Sequence, residues 1–209
     1  KMHSIIHKVE TVSNVRHLVV LGSIDSDWYK IGLSRVEHNF LTSKLAIGEI
    51  SIHINQYSRS IFIELFPEES SKSNNLEKAR QRGANLVKQF NQANIEEVEL
   101  ISLSSSDFSL YVAEGMALAN YQFLKYFSAP EKKLNSLKAI FVNAESSVIH
   151  NINAIVSGTL YARDFVNEPL SYLTANQFSK DMMALGNEAG FQVEVLYKKQ
   201  IESLKMGGL

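Results

Sequence analysis

The sequence predicts an α/β fold, a three-layer α-β-α arrangement around a mixed sheet. From Val98 onward, short apolar segments alternate with helical ones, which favours a largely parallel sheet covered by helices on both faces. Upstream, residues 50–66 have the pattern of an antiparallel hairpin, so the sheet is expected to be mixed. The 209 residues are 45% apolar, enough for one large domain, or for one domain and part of a second.

The first strands are predicted from apolar runs and alternation. His17–Leu21 is apolar and β-branched, which indicates a buried strand. We interpret Gly22, directly after it, as a turn residue with positive φ. Ile50–Ile54 alternates apolar and polar residues, typical of a half-buried strand. A short turn leads to the apolar run Ser60–Phe66, and the two segments together predict a hairpin.

Capping residues and helical periodicity predict the elements that follow. Asn74, with Glu77 three residues later, has the pattern of a capping box. Ser104–Asp107 offers several N-caps for a later helix. Pro130 and Pro169 mark two helix ends. In chain order we predict a helix over 74–90, a strand over 98–102, a helix over 108–127, a strand over 139–142, a helix from about 146 to 165, a helix over 174–190, a strand over 191–197 and a short helix over 199–205.

These elements predict three parts of the chain. Residues 1–148 form an N-terminal α/β domain, 149–167 a linker helix, and 168–209 the start of a further α/β unit. The last part has two helices and one strand, which cannot close a sheet alone. We therefore expect the chain to be truncated within its second domain. Inside the predicted helices, we interpret Gly115 and Gly158 as residues that permit close packing. Gly83 should cost its helix about 1 kcal/mol relative to alanine unless close packing needs it.

Composition excludes several classes of protein. The chain has no cysteine, which excludes disulfides and thiolate metal sites and fits a reducing compartment. The net charge of −1 and a pI near 6.7 disfavour DNA binding. No apolar stretch is long enough to span a bilayer, and Lys1–Glu10 lacks a signal-peptide pattern. We expect a soluble cytoplasmic protein with no membrane partner, for which nucleic acid is an unfavoured partner.

No motif for catalysis, cofactor binding or metal binding is found. The sequence lacks the His-Glu-x-x-His pair, the P-loop, the Gly-x-Gly-x-x-Gly turn and the Gly-x-Ser-x-Gly elbow. His3 and His7 are four residues apart but lie in a ragged N-terminus, so we do not assign them to a metal site. His53 is interpreted as a solvated residue on the polar face of its strand. The sequence therefore predicts no catalytic, cofactor-binding or metal-binding residue in this chain.

Two clusters leave alternatives open. The first cluster consists of Arg163, Asp164 and Glu168. It could hold a catalytic carboxylate pair, but we favour an ion-paired network that ends a helix. The second cluster consists of Tyr121, Phe123, Tyr126 and Phe127, with Lys125 among them. Its rings could stack on nucleobases, but their helical spacing makes us favour packing in the core.

The segment Ala162–Pro169 reads Ala-Arg-Asp-Phe-Val-Asn-Glu-Pro and resembles the Arg-Asp-Leu-Val-Asn-Glu-Pro segment of the leucyl aminopeptidase family, peptidase family M17. Further segments resemble the family in the same order, and the resemblance covers roughly 74–209. They are Ala113–Ala119 with Tyr121–Phe123, Leu173–Ala175, Val193–Leu196 and Lys205–Leu209. The departures are mild: Phe165 for Leu, Ala175 for Pro, Gly208 for Ala, and Tyr126–Ser128 for Tyr-Lys-Ser.

The resemblance implies a macro-domain-like N-terminal domain, a linking helix and a peptidase domain with two divalent metals, zinc or manganese. It implies a cytoplasmic hexamer that removes N-terminal residues from peptides. The family's ligand segments, Thr-Phe-Asp-Ser-Gly-Gly and Asn-Thr-Asp-Ala-Glu-Gly-Arg, do not occur here.

We therefore expect an inactive N-terminal part that serves assembly or substrate access, itself monomeric or dimeric. The alternative is a nucleotide-binding module of macro-domain type that takes ADP-ribose-like ligands. Only 10 glycines, and no Gly-rich loop between a strand and a helix, count against it.

Overall fold

The computed structural model describes residues 5–11, 13, 16–66, 72–104 and 108–208. Two short 3-10 turns lie at Trp28–Ile31 and Pro130–Lys133. The strands and helices, in chain order, are β1 (Ile5–Lys8), β2 (His17–Gly22), α1 (Arg35–Ala46), β3 (Ser51–Asn55), β4 (Ser60–Leu65), α2 (Lys72–Gln92), β5 (Glu97–Ser102), α3 (Ser109–Ala119), β6 (Ala139–Val142), α4 (Ser146–Asn167), α5 (Ala175–Ala189) and α6 (Lys198–Ser203).

The six strands form one sheet in the order β1-β6-β5-β2-β4-β3. All neighbours are parallel except β3 and β4, which pair antiparallel with Ile52 opposite Ile63. The predicted mixed α/β sheet and its hairpin are therefore confirmed. The chain divides into two compact units, Lys1–Tyr161 and Ala162–Leu209, and the division falls within α4.

The central strand β2 is buried on both faces, which explains its continuous apolar run. Leu18 and Val20 pack with the 3-10 turn after β2 and with Leu41 of α1. Val19 and Leu21 face the opposite core, formed with α2, α3 and the first turns of α4. The first unit is thus a sheet with one helix on one face and three on the other, the layered arrangement that the alternating elements predict.

Helices α2 and α3 touch through their backbones at two glycines. A Cβ on Gly83 would lie 2.1 Å from the carbonyl oxygen of Val112, and one on Gly115 would lie 2.0 Å from that of Arg80. The prediction that Gly115 permits close packing is confirmed, and Gly83 has the close contact that its place in a helix requires. For Gly158 the same prediction is wrong, because a Cβ there would meet nothing within 4 Å.

Gly22 does not have the positive φ that we predicted. The glycines with positive φ are Gly32, Gly48 and Gly190. Gly22 is instead the last residue of β2, where a Cβ would lie 2.5 Å from the ring of Trp28. The residue is needed for the close approach of an indole ring.

Several element boundaries differ from the predictions. Helix α3 ends at Ala119 instead of 127. The side chain of Asn120, the residue that follows, is buried and donates to the carbonyl of Leu137 at 2.9 Å. Helix α2 has already begun at Lys72, so Asn74 is not its N-cap. The residue before α3 is Phe108, with no side-chain cap, and the predicted caps at 105–107 lie outside the described residues.

Two elements were not predicted. Helix α1 is opened by a full capping box, in which Ser34 and Glu37 satisfy each other's backbone N–H groups. Edge strand β1 is held by α4, because the Asn153 side chain accepts from the N–H of Ile6 at 3.1 Å and donates to its carbonyl at 2.8 Å. That amide occupies backbone groups through which an edge strand could pair with another chain.

The second unit consists of helices and extended chain. Thr174 caps α5 as predicted, accepting from the N–H of Gln177. Gly186 packs against Val193, where a Cβ would lie 2.5 Å from the valine methyl. The predicted strand 191–197 is absent, because the described part of this unit contains no strand that could pair with it. Across the described ranges, no helix has both the length and the apolar character needed to cross a bilayer.

Candidate functional site

A cavity of about 300 Å³ lies at the carboxyl ends of the parallel strands. The segment that follows β2 packs on the face of the sheet that α1 covers. The segment that follows β5 leads into α3, on the opposite face. Neighbouring parallel strands whose connections diverge in this way leave a crevice in which α/β proteins bind ligands. The cavity is lined by Val9–Thr11, Lys30, Glu99–Leu103, Ser109 and Asn143.

One wall of the cavity is held by a buried carboxylate. The side chain of Glu99 is fully buried, and both of its oxygens accept from the N–H of Ser13, at 3.2 and 3.1 Å. Arg16 approaches the same carboxylate at 3.7 Å and lies over the Phe141 ring at 3.8 Å. These contacts fasten the connection between β1 and β2 across the sheet, so Glu99 positions the wall and its charge is already balanced.

The remaining charged groups of the lining are also paired. Glu10 lies 3.1 Å from Lys8, and Lys30 lies 3.5 Å from Asp27. The lining holds two carboxylates and one ammonium group, which disfavours a diphosphate. Ser102 and Ser109 add two uncharged polar side chains to the lining, and the Ser102 hydroxyl lies 3.2 Å from that of Ser104.

Several of the described histidines contact aromatic rings. His7 stacks on Phe141 with ring centroids 5.3 Å apart, and His38 stacks on Tyr29 at 4.3 Å. His53 is exposed, as predicted, and its ring stacks on Phe62. His150 is exposed on α4, and His3 lies outside the described residues. Among the described residues, no group of three or more His, Cys, Asp or Glu side chains could hold a metal ion.

His17 and His53 should make folding pH-dependent. Burial and the charge of His53 lower the pKa of His17, and burial lowers the pKa of His53. Nδ1 of His17 also accepts from the N–H of Ser60 at 2.9 Å, which requires neutral imidazole. Folding lowers the pKa of both histidines. The two neutral imidazoles therefore stabilise the folded state above the unfolded pKa, near 6.5, and this stabilisation is lost as the pH falls through the pKa values of the folded state.

We expect the free energy of unfolding to fall between pH 7.5 and 5.5. The slope should be smaller in His17→Asn, which keeps an acceptor near Ser60 but does not titrate. Urea unfolding at several pH values measures this. The exposed His150→Asn is the matched control and should leave the slope unchanged; equal slopes in all three proteins would refute the assignment.

The cluster at the end of α4 stays an open prediction. Asp164 is buried, Arg163 and Glu168 are half-buried, and the N–H of Glu168 donates to the Asp164 carbonyl at 3.0 Å. For the aromatic cluster the favoured interpretation holds for Tyr121, which packs against the larger core. It is wrong for Tyr126 and Phe127, which follow the end of α3 and are 56% and 45% exposed.

Sequence reasoning missed the cavity. Its lining comes from five separate segments that only the topology brings together. A partial signal was present, because polar residues directly follow two strands: Ser102–Ser104 at the end of β5 and Asn143 after β6. In a parallel sheet these positions share one edge.

No protein-family model matches the chain. Curated relatives do match it in part. The probable cytosol aminopeptidase of Nostoc punctiforme is 33% identical over 99 residues, 46% of this chain and 20% of that protein. That of Mycobacterium sp. (strain KMS) is 34% identical over 117 residues, 53% of this chain and 23% of that protein. The chain is related to the leucyl aminopeptidase family, peptidase family M17.

The match to the probable cytosol aminopeptidase of Alkaliphilus metalliredigens is longer. The two are 26% identical over 164 residues, which cover 71% of this chain and 32% of that protein. The chain thus spans about a fifth to a third of the length of these curated relatives.

Two solved structures have the same fold as this chain. A mutant of tomato leucine aminopeptidase superposes with a TM-score of 0.71 at 14% identity, over 97% of this chain and 46% of that chain. The bottromycin maturation enzyme BotP superposes with a TM-score of 0.59 at 19% identity, over 84% of this chain and 38% of that chain. The mixed sheet and its helices are therefore similar to the N-terminal region of leucine aminopeptidase.

Proposed function

We propose that this chain is the N-terminal, non-catalytic part of a leucyl-aminopeptidase-type exopeptidase that removes N-terminal residues from peptides with two divalent metals. The observation that carries the proposal is the partial match to cytosol aminopeptidases, together with the likeness of nearly the whole chain to under half of the tomato enzyme. On this proposal, 1–148 is the N-terminal domain, 149–167 the linker helix and 168–209 the start of the peptidase domain.

The described residues do not fit a two-metal centre. Such a centre needs several carboxylates facing one space, so that the metals polarise the carbonyl and activate water. Among the described residues of the first unit, the three buried glutamates each have other partners. Glu64 bonds to Arg82 and Ser51, Glu99 to Ser13 and Arg16, and Glu114 to Arg80. On this proposal, residues other than those that the structure describes supply the metal chemistry of the enzyme.

The role of the chain is then to support assembly or to limit substrate access. A sheet with helices on both faces is a rigid body that can carry such contacts. We propose that the whole enzyme is a cytoplasmic hexamer and that this chain alone is a monomer or dimer. The names of the relatives, cytosol aminopeptidases, support that compartment for the proposal.

The chain alone should not hydrolyse an aminoacyl substrate. Leucine p-nitroanilide is incubated with the purified chain and added Zn²⁺ or Mn²⁺, and the release of p-nitroaniline should match a protein-free blank. A cytosol aminopeptidase assayed in parallel establishes that the conditions support turnover. Activity that survives repurification and is abolished by a chelator would refute the non-catalytic role.

The cavity at the carboxyl ends of the strands supports a second candidate function, a small-ligand site of macro-domain type. Its position at the divergence of β2 and β5 is where α/β sheets bind ligands. The carboxylates of Glu10 and Glu99 in the lining oppose a diphosphate. Calorimetry with ADP-ribose tests this second function. A saturable heat of binding supports it, and no heat at millimolar ADP-ribose refutes it.

A further inference from the structure

The segment between α3 and β6 is pinned by side-chain amides. Gln122 donates to the carbonyl of Lys133 at 2.7 Å and accepts from the N–H of Asn135 at 2.8 Å. The Asn135 side chain donates to Asn120 at 2.9 Å. Asn91 of α2 accepts from the N–H groups of residues 136 and 137. This excursion is therefore anchored to α2 and to the end of α3, and it presents a defined surface.

That surface displays apolar side chains to solvent. Tyr126 and Phe127 are about half exposed, and so is Leu134. A preorganised segment loses little conformational entropy when a partner binds it. Exposed aromatic side chains on such a segment are typical of the anchors of interfaces.

Lysines surround the exposed rings. Lys133 Nζ lies 4.4 Å from the Phe127 ring centroid, and Lys125 Nζ lies 5.5 Å from that of Tyr126. Lys132 is exposed beside them, and Glu131 is the one acidic residue between Tyr121 and Leu134. The surface is locally basic in a chain of net charge −1. We name it the aromatic–lysine platform; it comprises Lys125, Tyr126, Phe127, Lys132, Lys133 and Leu134.

We propose that the aromatic–lysine platform binds an acidic peptide segment that carries an apolar anchor. Carboxylates complement the lysines, and an apolar side chain covers Phe127 and Leu134. A polypeptide fits better than a nucleic acid, because a cation already lies over a face of each exposed ring, and stacking on that face would displace it. This surface lies outside the cavity lining and does not depend on the aminopeptidase proposal.

The test is fluorescence anisotropy with the full chain and a labelled peptide, Glu-Asp-Glu-Leu-Phe-Asp-Glu. We expect saturable binding below millimolar peptide, weakened by salt as expected for charged contacts. Replacing Leu and Phe of the peptide by Ser should weaken it at least about tenfold. The variants Phe127→Ala and Lys132→Glu/Lys133→Glu should each weaken it by a similar factor.

Matched controls distinguish binding at the aromatic–lysine platform from nonspecific binding to exposed lysines and aromatic rings. Lys198 and Lys199 are also adjacent exposed lysines beside an exposed tyrosine, Tyr197. Lys198→Glu/Lys199→Glu should leave binding unchanged, and circular dichroism checks that every variant is folded. The proposal is overturned if the wild type does not bind the peptide, if the control variant weakens binding equally, or if labelled oligo(dT) binds more tightly at the platform than the peptide does.

Discussion

Gly83→Ala and Gly115→Ala should each destabilise the first unit by about 3 kcal/mol, at the upper end of the cost of overpacking. The new methyl group would lie within 2.1 Å of a carbonyl oxygen on the neighbouring helix. A flexible side chain could move away, but a helix backbone can retreat only by separating α2 from α3. That separation would loosen the core around Met116 and Phe90.

The matched control is Gly158→Ala in α4. This glycine is also helical, but a Cβ there meets nothing within 4 Å, so the higher helix propensity of alanine should stabilise the protein by about 0.5–1 kcal/mol. Urea unfolding monitored by circular dichroism measures all three variants. If Gly83→Ala and Gly158→Ala changed stability in the same direction, the backbone contact between α2 and α3 would not exist as described.

Arg82→Met should destabilise the first unit by about 3 kcal/mol at neutral pH, because it leaves the carboxylate of Glu64 buried without its cation. Glu64 is 3% exposed, and its Oε2 accepts from Arg82 at 2.8 Å. Burial raises the pKa of Glu64, and this outweighs the lowering by the Ser51 hydroxyl and by Arg82.

The destabilisation in Arg82→Met should depend on pH in a defined direction. A carboxyl group whose pKa is raised on folding contributes stability below its unfolded pKa, near 4.3, and loses it as pH rises through the folded value. Without Arg82 the pKa of Glu64 rises further. The deficit relative to wild type should therefore be small at acidic pH, where both proteins hold a neutral Glu64, and should grow toward pH 7.

Two further variants isolate this buried pair. Glu64→Gln combined with Arg82→Met should recover most of the lost stability, because no charge is then left buried. Lys88→Met removes a cation from an exposed position on the same helix and should have little effect. Chemical unfolding at pH 4 and pH 7 supplies the comparison. A deficit that is the same at both pH values would contradict the role assigned to Glu64.

The fold was predictable where the local pattern and the tertiary structure agree. The β3–β4 hairpin follows from two local patterns. β3 alternates because one of its faces is buried, and β4 is a continuous apolar run because both of its faces are buried. Helix α1 was missed, since Val36 and Phe40 on its surface are exposed and blur the amphipathic pattern. The extent of α3 was overestimated because the buried contacts of its C-cap residue Asn120, with Asn91 and Leu137, join separate elements and leave no local pattern.

The candidate site was less predictable than the fold. Val9, Lys30 and Asn143 line one cavity because parallel strands bring their following loops to one edge, and no local pattern contains that information. The glycines show the same distinction. Gly83 and Gly158 look alike in a helical sequence, and only the neighbouring helix distinguishes them.

We propose that this chain supplies structure to an aminopeptidase and does not hold its metals. The most direct measurement is the metal content of the chain after incubation with excess Zn²⁺ or Mn²⁺ and gel filtration, by inductively coupled plasma mass spectrometry. The account predicts less than one ion per chain and no site of micromolar or tighter affinity in titrations. Two ions retained per chain would contradict it.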